Sequence, residues 1–132
     1  MPTLDEVCAV TAFVQCLVAD FSDRLDRGET LPTMPDWFHV ENKWRAARYG
    51  MEAIIIENAA ADERLVTECI ADEIERLAPV AERLGCSREL AGVTDLMARG
   101  VPYQRLEDVF HTTGSLTEVT RSLIRDLRTS YV

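Results

Sequence analysis

The side chains best suited to chemistry lie in one short stretch, Glu41 to Gly50, which reads Glu-Asn-Lys-Trp-Arg-Ala-Ala-Arg-Tyr-Gly. It concentrates cations in a chain whose formal net charge is -9. On a helix, Arg45 and Arg48 are near neighbours on one face, and Asn42 shares a face with Arg45. Two such guanidinium groups can bind carboxylate or phosphate oxygens through paired N–H donors. The stretch therefore predicts a surface that binds an anion.

The same residues also allow a purely structural interpretation. Glu41 and Arg45 have the spacing of an ordinary helical ion pair, and Arg48 can stack on Trp44 by a cation–π contact. Spacing alone leaves both interpretations open.

Outside that stretch, few side chains suggest a site. Gln104 and Arg105 form a second polar pair, which taken alone is typical of a helix surface. His39 and His111 are far apart in sequence, and neither has a Cys or carboxylate at the spacing of zinc ligands. We expect no metal site built within this chain.

Composition and charge limit the classes of function. A chain of 132 residues with 47% hydrophobic residues has the size of one domain, so we predict a single helical domain over 1–132. The 23 acids against 14 Lys and Arg repel phosphate backbones and anionic membranes, which argues against nucleic-acid and membrane partners. The acidic opening residues and the interrupted apolar run after them predict neither a signal peptide nor a membrane span, so we expect a cytoplasmic protein.

The elements that must position these residues are mostly helices. Thr3 and Glu6 form a capping box that opens a helix to about Arg27, and the apolar residues all around it indicate a central helix. Pro79 is expected to kink or split the long helix that contains it. Further helices are predicted over 36–50, 61–84, 87–100, 102–110 and from 115 onward.

One short strand is predicted over 52–57, because this segment is rich in β-branched residues and lies between Gly50 and Asn58. No second strand is evident in the sequence. Since a lone strand leaves backbone groups unpaired, we expect it to pair outside the chain or with a second copy. The predicted fold class is thus mainly α, a helical bundle with one short strand.

The segment from Asn42 to Gly50 resembles the N-[RK]-[FW]-x-A-x-R-[FY]-G signature of the type-2 glutamate–cysteine ligase or carboxylate–amine ligase family. Other features follow in the order of the C-terminal part of that family. They are the first helix, the Leu84-Gly85-Cys86 helix stop, the segment from Gly100 to Arg105 with its Gln-Arg pair, and the late Gly114. The resemblance covers nearly the whole chain.

This resemblance implies an enzyme that uses ATP and Mg²⁺ to convert a glutamate-like γ-carboxylate into an acyl phosphate, which an amine then attacks. Such chemistry needs neutralisation of phosphoryl charge and positioning of the amine. By the same resemblance, Asn42 and Arg48 face the active site as catalytic residues. Arg45, Arg48, Gln104 and Arg105 are the candidates for binding substrate or phosphate, and the family pattern tolerates other residues in place of Arg45.

The family's acidic strands, which are expected to hold magnesium, nucleotide and glutamate, lie N-terminal to the part that this chain resembles. We therefore expect the metal ligands outside the chain, and an isolated chain that is inactive without a complementing N-terminal portion or a homo-oligomer. The alternative is a non-catalytic helical module that associates through its first helix and Ile54 to Ile56.

Overall fold

A computed structural model describes residues 3–129, and most of these residues are helical. The predicted mainly α class is confirmed. The α-helices are α1 (Leu4–Asp26), α2 (Asp36–Tyr49), α3 (Val66–Leu84), α4 (Ser87–Arg99), α5 (Pro102–Thr113) and α6 (Leu116–Thr129). A 3-10 turn (Gly50–Glu52) follows α2 and leads into two short strands, β1 (Ile54–Ile56) and β2 (Glu63–Leu65).

The expectation of a strand without a partner in the chain is wrong. β1 pairs antiparallel with β2, and Ile55 lies opposite Arg64 in the register. The loop between them is shaped by Asn58, whose Oδ1 accepts hydrogen bonds from the N–H groups of Ala60 and Asp62. A hairpin therefore supplies the ladder partner that we expected from another chain.

Helix ends follow local sequence signals. Thr3 and Glu6 form the predicted capping box, with Thr3 N–H donating to Glu6 Oε2 (2.8 Å) and Glu6 N–H donating to Thr3 Oγ1 (3.3 Å). Gly85 ends α3 at a φ of 72°, a left-handed conformation that favours glycine. Pro79 does not split α3. Glu75, whose carbonyl loses its usual donor there, is exposed, so water can satisfy that oxygen.

The chain divides into two compact units. One contains the residues up to Val14 and those from Cys86 onward, and the other is Gln15–Gly85. The prediction of a single domain over 1–132 stays a prediction. Within the described residues, no helix is long and apolar enough to cross a membrane.

In the first unit, the start of α1 packs closely against α4. The buried side chains here are Glu6, Ala9 and Ala12 of α1 and Leu90 and Val93 of α4. A Cβ added at Gly92 would lie 3.1 Å from the Cβ of Ala9, so the absence of a side chain at Gly92 permits this approach. In the same unit α5 packs against α6.

The second unit places the β-hairpin beside α2 and α3. Its core contains Cys16, Phe38, Ala53, Ile56, Leu77 and Ala81. Two ion pairs join the second half of α1 to α3, between Asp20 and Arg76 and between Asp23 and Arg83. This unit holds the segment from Glu41 to Gly50.

Candidate functional site

The outer edge of β1 fixes the position of α2. Val66 N–H donates to Ala53 C=O and Glu57 N–H donates to Asp62 C=O, each at 2.8 Å. In an antiparallel ladder the backbone groups of alternate residues point to opposite edges. Ile54 and Ile56 therefore direct their N–H and C=O groups away from β2.

Asn42 occupies this outer edge. Its Nδ2 donates to the carbonyl of Ile56 and its Oδ1 accepts from the N–H of Ile56, both at 2.8 Å. The amide thus replaces the neighbouring strand that β1 lacks on this side, because it offers the donor and acceptor of a backbone peptide. Both functional groups of Asn42 are engaged inside the unit, and its catalytic role stays a prediction.

Arg45, one turn further along α2, is also bound inside the unit. Its Nε donates to Glu41 Oε1 at 2.8 Å, which confirms the ion pair predicted from spacing. Its Nη1 donates to Glu63 Oε1 at 2.6 Å and to the carbonyl of Ile54 at 3.0 Å. Hydrogen bonds from Arg45 to Glu41 and Glu63 raise the pKa of the guanidinium above its ordinary value. Two carboxylates therefore already neutralise this cation.

Arg48 has a different environment. Its side chain is exposed, and its guanidinium carbon lies 5.7 Å from the centre of the Tyr49 ring. Within residues 3–129 this guanidinium has no hydrogen bond or ion pair. The predicted stack of Arg48 on Trp44 is wrong, because Trp44 packs edge-on against Tyr49 with ring centres 5.9 Å apart. Tyr49 is therefore the aromatic neighbour of both Trp44 and Arg48.

An open cleft in the second unit lies beside Arg45 and Tyr49, and Arg48 is not among the residues that line it. Its wall combines apolar side chains with carboxylates around Arg45, and its lining residues are Glu41, Trp44, Arg45, Tyr49, Glu52, Ile54 and Glu63. Glu63 is not among the predicted site residues, because the strand β2 that carries it was not predicted. The alternating Glu-Arg-Leu pattern after the turn at Asn58 is the signal that could have located it.

The second polar pair lies in the first unit and is engaged there. Gln104 Oε1 accepts a hydrogen bond from Val101 N–H at 3.1 Å, which caps the start of α5. Arg105 Nη1 donates to the carbonyl of Gly100 at 2.6 Å. The roles predicted for Gln104 and Arg105 in binding substrate or phosphate stay predictions.

Arg105 also neutralises a buried carboxylate. Its Nη2 lies 2.8 Å from Oε1 of Glu6, whose side chain is 2% exposed. The contact lacks the alignment of a hydrogen bond, and among the described residues that oxygen accepts none. We therefore treat the contact as an ion pair that holds the start of α1 against α5.

The described residues offer no obvious place for a divalent cation. Across residues 3–129, no three His, Cys, Asp or Glu side chains are grouped so that they could hold a metal ion. Glu41 and Glu63, the two carboxylates nearest the signature cations, are both bound to Arg45.

The family profile and the similar proteins indicate the same family. The profile of glutamate–cysteine ligase family 2 (GCS2) matches residues 1–122. A relative from Nocardioides sp., named "Putative glutamate–cysteine ligase 2-3", is 54% identical over 129 residues, which are 97% of this chain and 34% of the relative. A relative from Paenarthrobacter aurescens, "Putative glutamate–cysteine ligase 2-2", is 52% identical with the same coverage.

A relative from Mycobacterium tuberculosis, "Putative glutamate–cysteine ligase 2", is 50% identical over 125 residues, or 94% of this chain and 33% of the relative. No solved structure matches significantly. The chain spans about a third of the length of the curated relatives that it matches. The match extends over nearly all of this sequence, and the chain belongs to glutamate–cysteine ligase family 2.

Proposed function

We propose that this chain forms part of an ATP-dependent carboxylate–amine ligase, in which Arg48 binds an anionic oxygen of the substrate carboxylate or of a phosphate. Family membership supports the ligase class. The proposed reaction joins a glutamate-like γ-carboxylate to an amine by way of an acyl phosphate. The rest of the ligase supplies the metal ligands and most of the substrate pocket.

The observation that carries this proposal is the contrast between two arginines on one helix. Glu41 and Glu63 neutralise Arg45, whereas Arg48 is exposed and has no carboxylate partner within residues 3–129. A guanidinium that is not already paired can give all of its donors to an incoming carboxylate or phosphate. Arg48 is therefore the signature arginine that is better placed to bind a ligand.

Asn42 and Arg45 act as positioning residues in this proposal. Their side chains bind the outer edge of β1 and so fix the rotation of α2 about its own axis. The direction in which Arg48 leaves α2 depends on that rotation. A small error in the placement of a charge-stabilising group can cost about 100-fold in rate.

ATP with its magnesium ion would supply the phosphoryl group and much of the charge neutralisation. The contribution of this chain is electrostatic. Arg48 stabilises negative charge on an oxygen of the acid or phosphate, and the nearby Tyr49 ring offers its guanidinium a cation–π contact.

The test uses a full-length chimera in which this chain replaces the matching third of the Nocardioides relative. We expect ATP hydrolysis that depends on both glutamate and an amine, and we expect Arg48→Ala to lower its rate by about 100-fold or more. Arg48→Lys retains charge without the paired donors and should recover only part of that rate. Lys43→Ala is the matched control, since it removes another exposed cation from the same helix.

Unchanged turnover in Arg48→Ala would remove this residue from the site. Equal losses in Arg48→Ala and Lys43→Ala would show that general charge near α2 matters, and the specific role of Arg48 would then be abandoned. Thermal unfolding of each variant separates loss of function from loss of fold.

A second candidate is a non-catalytic helical interaction module. It is favoured by the internal binding of Asn42, Arg45, Gln104 and Arg105 through contacts that would stabilise the fold without any ligand. This candidate predicts that the chimera has no ATP-dependent ligation at all, while the chain still folds with its α2 contacts intact.

A further inference from the structure

One face of helix α1 packs against other elements, and a second, apolar face is exposed among residues 3–129. The packed face follows a spacing of three and four residues along α1. Its buried members are Glu6, Ala9 and Cys16. Near the end of the helix its members are Asp20 and Asp23, which are bound to arginines of α3. The other face is exposed along the length of the helix.

This second face, which we call the α1 stripe, has the same regular spacing. Its apolar members are between 38% and 62% exposed, and they are Leu4, Val7, Val14, Val18, Phe21 and Leu25. With Thr11 included, the positions alternate steps of three and four residues along the whole helix. That repeat keeps a continuous apolar line on one side of an α-helix and is typical of a helix that packs lengthwise against another element.

The polar features of α1 do not interrupt this line. The hydroxyl of Thr11 donates to the carbonyl of Val7 at 2.7 Å, so its hydrogen-bonding need is met within the helix. Positions that flank the stripe carry Cys8, Gln15 and Ser22 on one side. On the other side the single charged residue is Arg24, which is bound to Glu29. An exposed helix face normally carries charges, and their near absence here indicates a buried surface.

We infer that the α1 stripe is the surface through which this chain packs against the remainder of a full-length family-2 ligase. The relatives share 50–54% identity with nearly all of this chain, and about two thirds of their length lies outside it. In relatives so much longer than the matching segment, the rest of the protein is available to cover this apolar face. This inference rests on the proposed function in one respect only, that the chain works as part of such a ligase.

A second copy of the chain is the less favoured occupant. Each copy has a formal net charge of -9, and like charges oppose the approach of two copies at ordinary ionic strength. The same charge opposes docking on an anionic lipid surface. Both alternatives are outcomes of the test.

The test compares the isolated chain with the chimera described above. Val18→Glu and Val7→Glu place a charge on the stripe, and Leu116→Glu, at a side chain 72% exposed on α6, is the matched control. In the isolated chain all three side chains face solvent, so we expect the unfolding midpoint to change by less than about 2 °C. In the chimera the stripe variants should lower the midpoint by more than about 5 °C, with the control unchanged.

Equal midpoints for the stripe variants and the control in the chimera would overturn the inference. So would a chimera that fails to fold with the unsubstituted chain. Light scattering of the isolated chain tests for a second copy, and binding to vesicles of anionic lipid tests for a membrane surface. The inference would be contradicted if the stripe variants abolished a dimer or vesicle binding but left the midpoint of the chimera unchanged. Because the readout is stability, inactivity of a chimera with the predicted midpoints would count against the proposed ligase function and leave the packing surface in place.

Discussion

The sequence singles out two polar regions, one on α2 and one on α5. Both bind nearby backbone groups, but they differ in how many of their side chains have partners among the described residues. In the second unit, Asn42 and Arg45 bind the backbone of a neighbouring strand, and in the first unit Arg105 binds the backbone carbonyl of Gly100 and the carboxylate of Glu6. Among the residues that the structure describes, the region on α2 retains the exposed guanidinium of Arg48 without a hydrogen bond or ion pair, whereas the polar pair on α5 has both of its side chains engaged.

The difference shows that two neighbouring arginines on one helix can differ in how far their guanidinium groups are engaged by the fold. Asn42 and Arg45 lie three residues apart and both reach β1. Arg48 lies three residues beyond Arg45, yet it contacts only an aromatic ring among the described residues. Substitutions in the two regions should therefore separate effects on stability from effects on activity.

The largest effect on stability is expected at Arg105. Arg105→Ala leaves the carboxylate of Glu6 buried without a cation, and breaking a buried pair in this way costs about 3 kcal/mol. Urea denaturation measures this loss. Arg88→Ala, at an exposed arginine of the same unit, should change the free energy of unfolding by less than about 0.5 kcal/mol. A similar small change at Arg105 would show that the pair does not hold α1 to α5.

A smaller loss is expected at Asn42. Asn42→Ala removes two hydrogen bonds and leaves the N–H and C=O of the buried Ile56 unsatisfied, which costs about 2 kcal/mol. Denaturation of Lys43→Ala provides the control on the same helix. If Asn42→Ala were as stable as the control, the amide would not be closing the edge of β1, and a ligand-directed role would become the stronger interpretation.

Arg45→Ala should destabilise the chain less than Asn42→Ala. Its partners Glu41 and Glu63 are partly exposed and can be hydrated once the guanidinium is removed. The difference in denaturation midpoint from the parent should shrink as salt is raised, because salt screens the ion pairs. A difference that did not depend on salt would assign the stabilisation to the hydrogen bond with Ile54 alone.

The smallest effect on stability is expected at Arg48. Arg48→Ala removes an exposed side chain whose one charged or aromatic contact within residues 3–129 is Tyr49, so the free energy of unfolding should change by less than about 0.5 kcal/mol. Calorimetry of the isolated chain is sufficient to test this. A loss comparable to that at Asn42 would place Arg48 among the structural residues and would remove the contrast between the two arginines.

Features with local causes were predictable from the sequence. The capping box of Thr3 and Glu6 and the ion pair of Glu41 and Arg45 each involve residues within four positions of one another. The end of α3 at Gly85 is equally local. Such signals depend on helix geometry alone, which is why they survive without knowledge of the tertiary fold.

Features that depend on distant residues were not predictable in the same way. β2 has three residues, and its backbone pairing with β1 across a turn is invisible to helical periodicity, which extended the predicted helix back over it. The spacing of Arg45 and Arg48 suggested a pair that binds an anion, and the family resemblance suggested a catalytic role for Asn42. The structure places the edge of β1 within reach of Asn42 and Arg45. Polar residues in a family signature can thus have structural partners that only the fold reveals.

The most direct test of the account follows the Nε–H signals of Arg45 and Arg48 by nuclear magnetic resonance while tripolyphosphate is added to the isolated chain. Arg45 Nε–H donates to Glu41 and should exchange slowly with solvent and keep its chemical shift. Arg48 should exchange rapidly and shift as the anion is added. A shift at Arg45 with none at Arg48 would contradict the account.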